Sequence, residues 1–174
     1  MTTALTQTIQ LGDVLPAGNL SEYIEVATGA CSMGPNTFNV ADLVKGKTIA
    51  IFGLPGAYTP TCSAQHVPGY VALAEKFAAA GVDEIWCISV NDAFVMGAWG
   101  RDQHATGIVR MMADGNADFS KALGLSADFS KFGMGTRSQR YSMLVVDGVV
   151  KQLNVEQGGA FAVSNAETLL AQLA

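Results

Sequence analysis

Cys62 stands near the end of Gly53-Leu-Pro-Gly-Ala-Tyr-Thr-Pro-Thr-Cys-Ser63, a stretch that leaves an apolar run, passes through a Pro/Gly turn and enters a helix. The ring of Pro60 keeps Thr59 out of helical backbone angles. The spacing therefore predicts Thr59 as N-cap, Pro60 at the first helical position and Cys62 in the first turn. Unpaired backbone N–H groups and the positive end of the helix favour a thiolate there, and the thiolate is the nucleophilic form. The ordinary alternative is an inert buried cysteine. His66 follows four residues later, and Pro68 is expected to interrupt the helix and give the first turn an orientation of its own.

Spacing narrows the chemistry. Disulfide exchange of the Cys-x-x-Cys kind needs a second thiol where Gln65 stands. A papain-like hydrolase would use Cys62 with His66 or His104 as base, with no further feature to support acyl transfer. A zinc site would have to gather Cys31, Cys62, His66, Cys87 and His104, which form no paired-ligand motif apart from Cys62 and His66. Pro55, Thr59 and Cys62 do fit Pro-x-x-x-Thr-x-x-Cys, the active-site motif of peroxiredoxins. Further matches run through Lys45-Gly-Lys47, Pro55 to Tyr70, Ser89 to Arg101, Arg137 to Ser142 and Leu153 to Glu156. Over nearly its whole length the chain resembles the type-5 subfamily.

That resemblance implies a thiol peroxidase acting on hydrogen peroxide and alkyl hydroperoxides. Cys62 is the implied peroxidatic nucleophile, Thr59 the hydrogen-bond partner of peroxide and thiolate, Arg137 the catalytic arginine and Pro55 the shield of the pocket. Attack on one peroxide oxygen expels the other as an anion, which charge-assisted donors stabilise. Arg140 is the rival cation, though in a strand its odd offset from Arg137 would turn it to the opposite face. No cofactor is implied, because the peroxide bond is itself the oxidant.

Attack leaves Cys62 as a sulfenic acid, which another thiol must reduce. Animal type-5 chains carry a resolving cysteine near the C-terminus, whereas here Val163 stands at about that place in Ala160-Phe-Ala-Val-Ser164. Cys87 lies in an apolar strand and reads as packing. Cys31, among Gly29, Ser32, Gly34 and Pro35, reads as a loop residue and is the reserve resolver. A one-cysteine route follows, with an external reductant: glutathione or glutaredoxin, with thioredoxin the other choice. The resemblance also implies a homodimer near the active-site loops, with Tyr58, Phe94, Met96 and Trp99 as contact candidates. A non-enzymatic peroxide sensor or holdase on the same fold is the alternative reading.

The elements that must position Cys62 follow from pattern. Lys47 to Gly53 and Glu84 to Val90 are short apolar runs, as in strands buried on both faces. Between them Tyr70 to Ala80 is built of helix formers and stops at Gly81, which completes a βαβ unit. Asn91 is the expected N-cap of a helix to about Trp99, followed by a strand from Ile108 to Met112 and a helix from Asn116 to Leu123. Tyr141 to Val146 and Val149 to Val155 flank Asp147-Gly148, a two-residue hairpin signal, and Ala166 to Leu173 reads as a closing helix. The order predicts an α/β, thioredoxin-like fold with a central mixed sheet flanked by helices. ADFSK recurs at Ala117 to Lys121 and Ala127 to Lys131, which reads as two amphipathic turns burying Phe119 and Phe129 alike.

Composition agrees. The 174 residues are 49% hydrophobic and 14% charged, enough for one substantial core and one domain spanning 1–174. Fifteen acidic against ten basic residues, net charge -5, argue against a phosphate-binding surface and hence against nucleic acid. Three cysteines suit a reducing compartment. Met1 to Gln10 has no basic residue and no apolar run approaches the roughly 18 residues of a membrane span, so a cytoplasmic location without membrane association is expected. A charge content well under the usual ~25% leaves apolar surface for a second copy.

Overall fold

β3 (Thr48–Leu54) and β4 (Glu84–Ser89) are the parallel centre of the molecule, and almost every residue in them is buried. Alternation divides their side chains between two cores. Ala50, Phe52, Leu54, Ile85 and Cys87 face one layer, while Ile49, Ile51, Trp86 and Ile88 face the other. The computed structural model describes residues 7–26 and 32–173; Cys31 lies outside them.

In chain order the remaining strands are β1 (Asn19–Val26), β2 (Ser32–Asn39), β5 (Arg110–Ala113), β6 (Ser126–Asp128), β7 (Thr136–Ser138), β8 (Tyr141–Val146) and β9 (Val149–Val155). The helices are α1 (Val40–Val44), α2 (Val67–Ala79), α3 (Ala93–Asp102), α4 (Asp118–Ala122) and α5 (Ala166–Ala171). A seven-stranded sheet has the order β2-β1-β5-β4-β3-β8-β9, and β6 and β7 pair as a separate ribbon. β3, β4 and β5 are parallel, and the outer pairings are antiparallel. This is a thioredoxin-like mixed sheet with flanking helices. Among the described residues no helix is long and apolar enough to cross a membrane.

Local chemistry explains the joints. Asp147 and Gly148 both take positive φ, 47° and 78°, the geometry that lets a two-residue turn follow the strand twist. α2 stops where Gly81 adopts φ 91°. Gly53 pairs with Tyr141, and a Cβ there would fall within the Tyr141 ring, so the last turn of β3 admits no side chain.

Four expectations are corrected. The sequence from Ser32 is a strand, not a loop; its Pro35 is tolerated because β2 is an edge strand, paired only with β1. Asp92, not Asn91, caps α3 by accepting from Val95 N. The two ADFSK copies differ, since Phe119 is buried in α4 whereas Phe129 is half-buried between β6 and a 3-10 turn, Ser130–Phe132. Met96 and Trp99 are fully buried core residues and so leave the list of contact candidates, while Tyr58 and Phe94 are exposed.

Candidate active site

The C-terminal ends of β3 and β4 open at the same edge of the sheet, where α/β folds place their sites. From Leu54 the chain makes the turn Pro55 to Thr59 and enters a helix at Pro60. The turn is held from three sides. Ala57 N donates to Asn91 Oδ1 (2.9 Å), Tyr58 Oη donates to Asp102 at the end of α3 (2.8 Å), and Thr59 Oγ1 donates to Gly56 O (2.8 Å). Tyr58 is kept at φ 62°, a strained conformation for a residue with a side chain. Thr59 precedes the first helical residue, as its spacing predicts, but its hydroxyl braces the turn and does not cap the helix.

Cys62 opens a π-helical turn, Cys62–His66, fused to α2. Pro68 has no N–H to return to the preceding turn, so the ladder is broken where the register widens. The wider turn carries Cys62 and His66 inward together, and neither has exposed surface. Ser63 Oγ accepts from the buried Trp99 indole at 3.1 Å, which ties this turn to α3.

Arg140, not Arg137, meets the thiol. Arg140 Nη2 lies 3.3 Å from Cys62 Sγ and Nη1 lies 3.0 Å from His66 Nδ1. The register explains it: Gly53 pairs with Tyr141, so the residue before Tyr141 falls beside the end of β3. Face alternation does not connect the two arginines, because Arg137 is in β7 and Arg140 is in the irregular link to β8. Arg137 is engaged elsewhere. Its Nε donates to Met134 O (2.9 Å), and its Nη1 donates to Val90 O (3.2 Å) and Pro55 O (3.4 Å). It clamps the Pro55 turn to the ribbon.

Sequence patterns alone did not reveal what orients Arg140. His66 Nε2 donates to Ser164 O (3.1 Å), which leaves the Nδ1 lone pair to accept from Arg140; Tyr70 Oη donates to the same carbonyl. The Phe161 ring lies under the guanidinium, 5.7 Å from its centre, and meets His66 edge-on. This loop is fixed in turn by Glu156, whose Oε1 accepts from the backbone N–H groups of Ala162, Val163 and Ser164 and from Ser164 Oγ. Burial pushes the Glu156 carboxyl up, but these hydrogen bonds outweigh it and hold it below the usual range. Val163 is on this loop, and Cys87, wholly buried, has its thiol pushed up by burial.

His66 is held neutral. Burial first, and the Arg140 cation second, drive it from 6.5 to about 3, against the Ser164 carbonyl and Glu156. Its folded value lies below its unfolded one, so the stability it permits is complete above about pH 6.5 and is lost as pH falls toward 3. The steepest slope is about 1.4 kcal/mol per pH unit. Urea unfolding between pH 7 and 5, above the range where Glu156 protonates, is expected to show a falling midpoint. His66→Gln is expected to flatten that slope; an unchanged slope would place the acid sensitivity elsewhere.

A cavity of about 490 Å³ opens beside Pro55 and Arg140, with Phe129, Lys131, Phe132 and Gly158 on its far side. The arrangement can supply a nucleophilic sulfur, a charge-assisted donor at that sulfur and an adjoining space for a second reactant.

Comparison with known proteins places these features in a wider set. The family model described as Redoxin matches residues 10–170. The chain is 47% identical over 174 residues to peroxiredoxin-2E, chloroplastic, of Arabidopsis thaliana, covering 99% of this chain and 72% of that one. The structure of reduced Prx3 in complex with hydrogen peroxide from Vibrio vulnificus superposes with a TM-score of 0.88 at 48% identity, covering 96% of this chain and 100% of that one. A Burkholderia cenocepacia structure, described provisionally as a thioredoxin reductase, is 61% identical with a TM-score of 0.93, covering 97% and 99%.

Proposed function

The chain belongs to the Redoxin family as a peroxiredoxin, a thiol-dependent antioxidant peroxidase, and from that membership we propose that Cys62 is its peroxidatic cysteine. The observation that carries the assignment is the 3.3 Å approach of Arg140 Nη2 to Cys62 Sγ inside the Pro55/Thr59/Cys62 motif. The thiolate attacks the nearer peroxide oxygen, the O–O bond breaks, and the distal oxygen leaves as hydroxide or alkoxide. Arg140 stabilises that charge as it forms. Thr59, whose hydroxyl hydrogen is directed at Gly56 O, offers its lone pairs to the peroxide O–H. Pro55 shields the pocket, and Arg137 positions Pro55 without touching the reacting atoms.

The substrates proposed are hydrogen peroxide and alkyl hydroperoxides, and the chain is assigned to the type-5 subfamily as a single domain. Recycling uses an external thiol, glutathione or glutaredoxin, because Val163 occupies the place of the animal resolving cysteine and Cys87 is sealed in the core. Cys62 has no exposed surface, so peroxide and the reducing thiol alike reach its sulfur only as the π-helical turn opens. A homodimer contact at the exposed Tyr58 and Phe94 and a cytoplasmic location complete the reading.

Turnover decides it. With glutathione supplied, each chain is expected to consume many equivalents of peroxide; consumption that stops at one equivalent with glutathione and with glutaredoxin would make the protein a sensor and overturn the catalytic cycle.

A further inference from the structure

Between β9 and α5 the chain from Gln157 to Val163 has little packing to hold it. All of it but Phe161 is exposed, and Gly158 and Gly159 carry no side chain. Its remaining bonds are local: Ala160 N donates to Gln157 O, and Asn165 Nδ2 donates to Ala162 O. Yet this segment delivers the buried Ser164 carbonyl, to which both His66 and Tyr70 donate. Its anchor is a single atom of the buried Glu156. Oε1 accepts from Ala162 N, Val163 N and Ser164 N at 2.8 Å each and from Ser164 Oγ at 2.9 Å. Three successive N–H groups make a concavity suited to an anion, and here the chain's own carboxylate fills it. A neutral acceptor would hold those donors about half as strongly.

Glu156 also grips the other end of Arg140. Its N–H donates to Arg140 O at 2.9 Å, which carries the β8–β9 pairing one residue beyond Tyr141 and Val155. A closed circuit results. It runs from the Arg140 main chain to Glu156, from the carboxylate to 162–164, from the Ser164 carbonyl to His66, and from His66 Nδ1 back to the Arg140 guanidinium. Resting on the role proposed above for Arg140, we propose that Glu156 is a positioning residue of the peroxidase reaction, one that aims the guanidinium at Cys62 Sγ without touching the reacting atoms. Its charge by itself would act the other way, because an anion near the site opposes the formation of another. Its contribution lies in the bonds it holds.

The test is stopped-flow oxidation of Cys62 by hydrogen peroxide, comparing Glu156 with Glu156→Gln in the wild-type, Arg137→Ala and Arg140→Ala backgrounds. The substitution keeps the shape and the main-chain N–H and replaces the carboxylate by a neutral amide. In the first two backgrounds it is expected to lower the limiting rate about tenfold and leave the half-saturating concentration of each parent unchanged. In the Arg140→Ala background it is expected to cost less than about twofold, since no guanidinium is left to aim. An equal loss in all three backgrounds would mean a general loosening and overturns the proposal, as does a rate that rises when the charge is removed. If Glu156→Gln does not fold, Ser164→Ala gives the same comparison, because it removes one of the four donors and leaves the carbonyl; its expected cost is about threefold where Arg140 is present. Should Arg140→Ala itself oxidise at the wild-type rate, the role of Arg140 fails and the proposal with it. Should Arg140→Ala be slow while Glu156→Gln is unimpaired, the role of Glu156 alone fails.

Discussion

Cys62→Ser is expected to reduce peroxide turnover to the uncatalysed background while the fold is retained, because the substitution exchanges one polarizable atom for a smaller one in a site that remains packed. The introduced hydroxyl is a poor nucleophile at neutral pH, and no other described thiol is placed to replace the lost one: Cys87 is buried on β4 with its thiol pushed up by burial. Intact mass gives the sharpest view. One equivalent of peroxide, with external thiol excluded, is expected to add one oxygen to the wild type and none to the variant. Loss of two hydrogens would instead mean a disulfide within the chain, which would replace the one-cysteine route and turn attention to Cys31. Full turnover by the variant would remove Cys62 from the mechanism.

The position of Cys62 in the first turn of a helix after β3 was legible because its signals are local: a Pro/Gly turn after an apolar strand and a proline at the first helical position. The β8–β9 hairpin was legible for the same reason, and its strand limits coincide with the expected ones. The N-terminal hairpin was not, since Gly34 and Pro35 read as loop until an edge position explains them. Burial was read poorly where it depends on distant packing. Met96 and Trp99 belong to the core beneath the site, and the second ADFSK copy puts Phe129 at a cavity wall. The environment of Arg140 is the extreme case, because it joins residues 62, 66, 140, 156, 161 and 164 through side chains and one carbonyl. No periodicity encodes that set. A signal did exist: an arginine directly before a strand antiparallel to β3 must fall near the end of β3 once the register is known.

Arg140→Ala is expected to lower the rate of Cys62 oxidation by about 10²–10³-fold, the usual cost of removing one preorganised donor from a developing anion. Arg140→Lys is expected to recover little. A lysine ammonium cannot hold the planar fork that reaches His66 Nδ1 with one nitrogen and Cys62 Sγ with the other. Arg137→Ala provides the contrast, because its guanidinium binds three main-chain carbonyls and no reacting atom. Its effect is expected to be about tenfold or less, and to appear as weaker peroxide binding through a looser Pro55 turn. Stopped-flow oxidation over a range of peroxide concentrations separates the two, since loss of transition-state stabilisation lowers the limiting rate, whereas loss of positioning raises the half-saturating concentration. The reverse pattern, with Arg137 the more damaging loss, would show that the reactive geometry differs from the one in which Arg140 touches the thiol, and would return the catalytic role to Arg137.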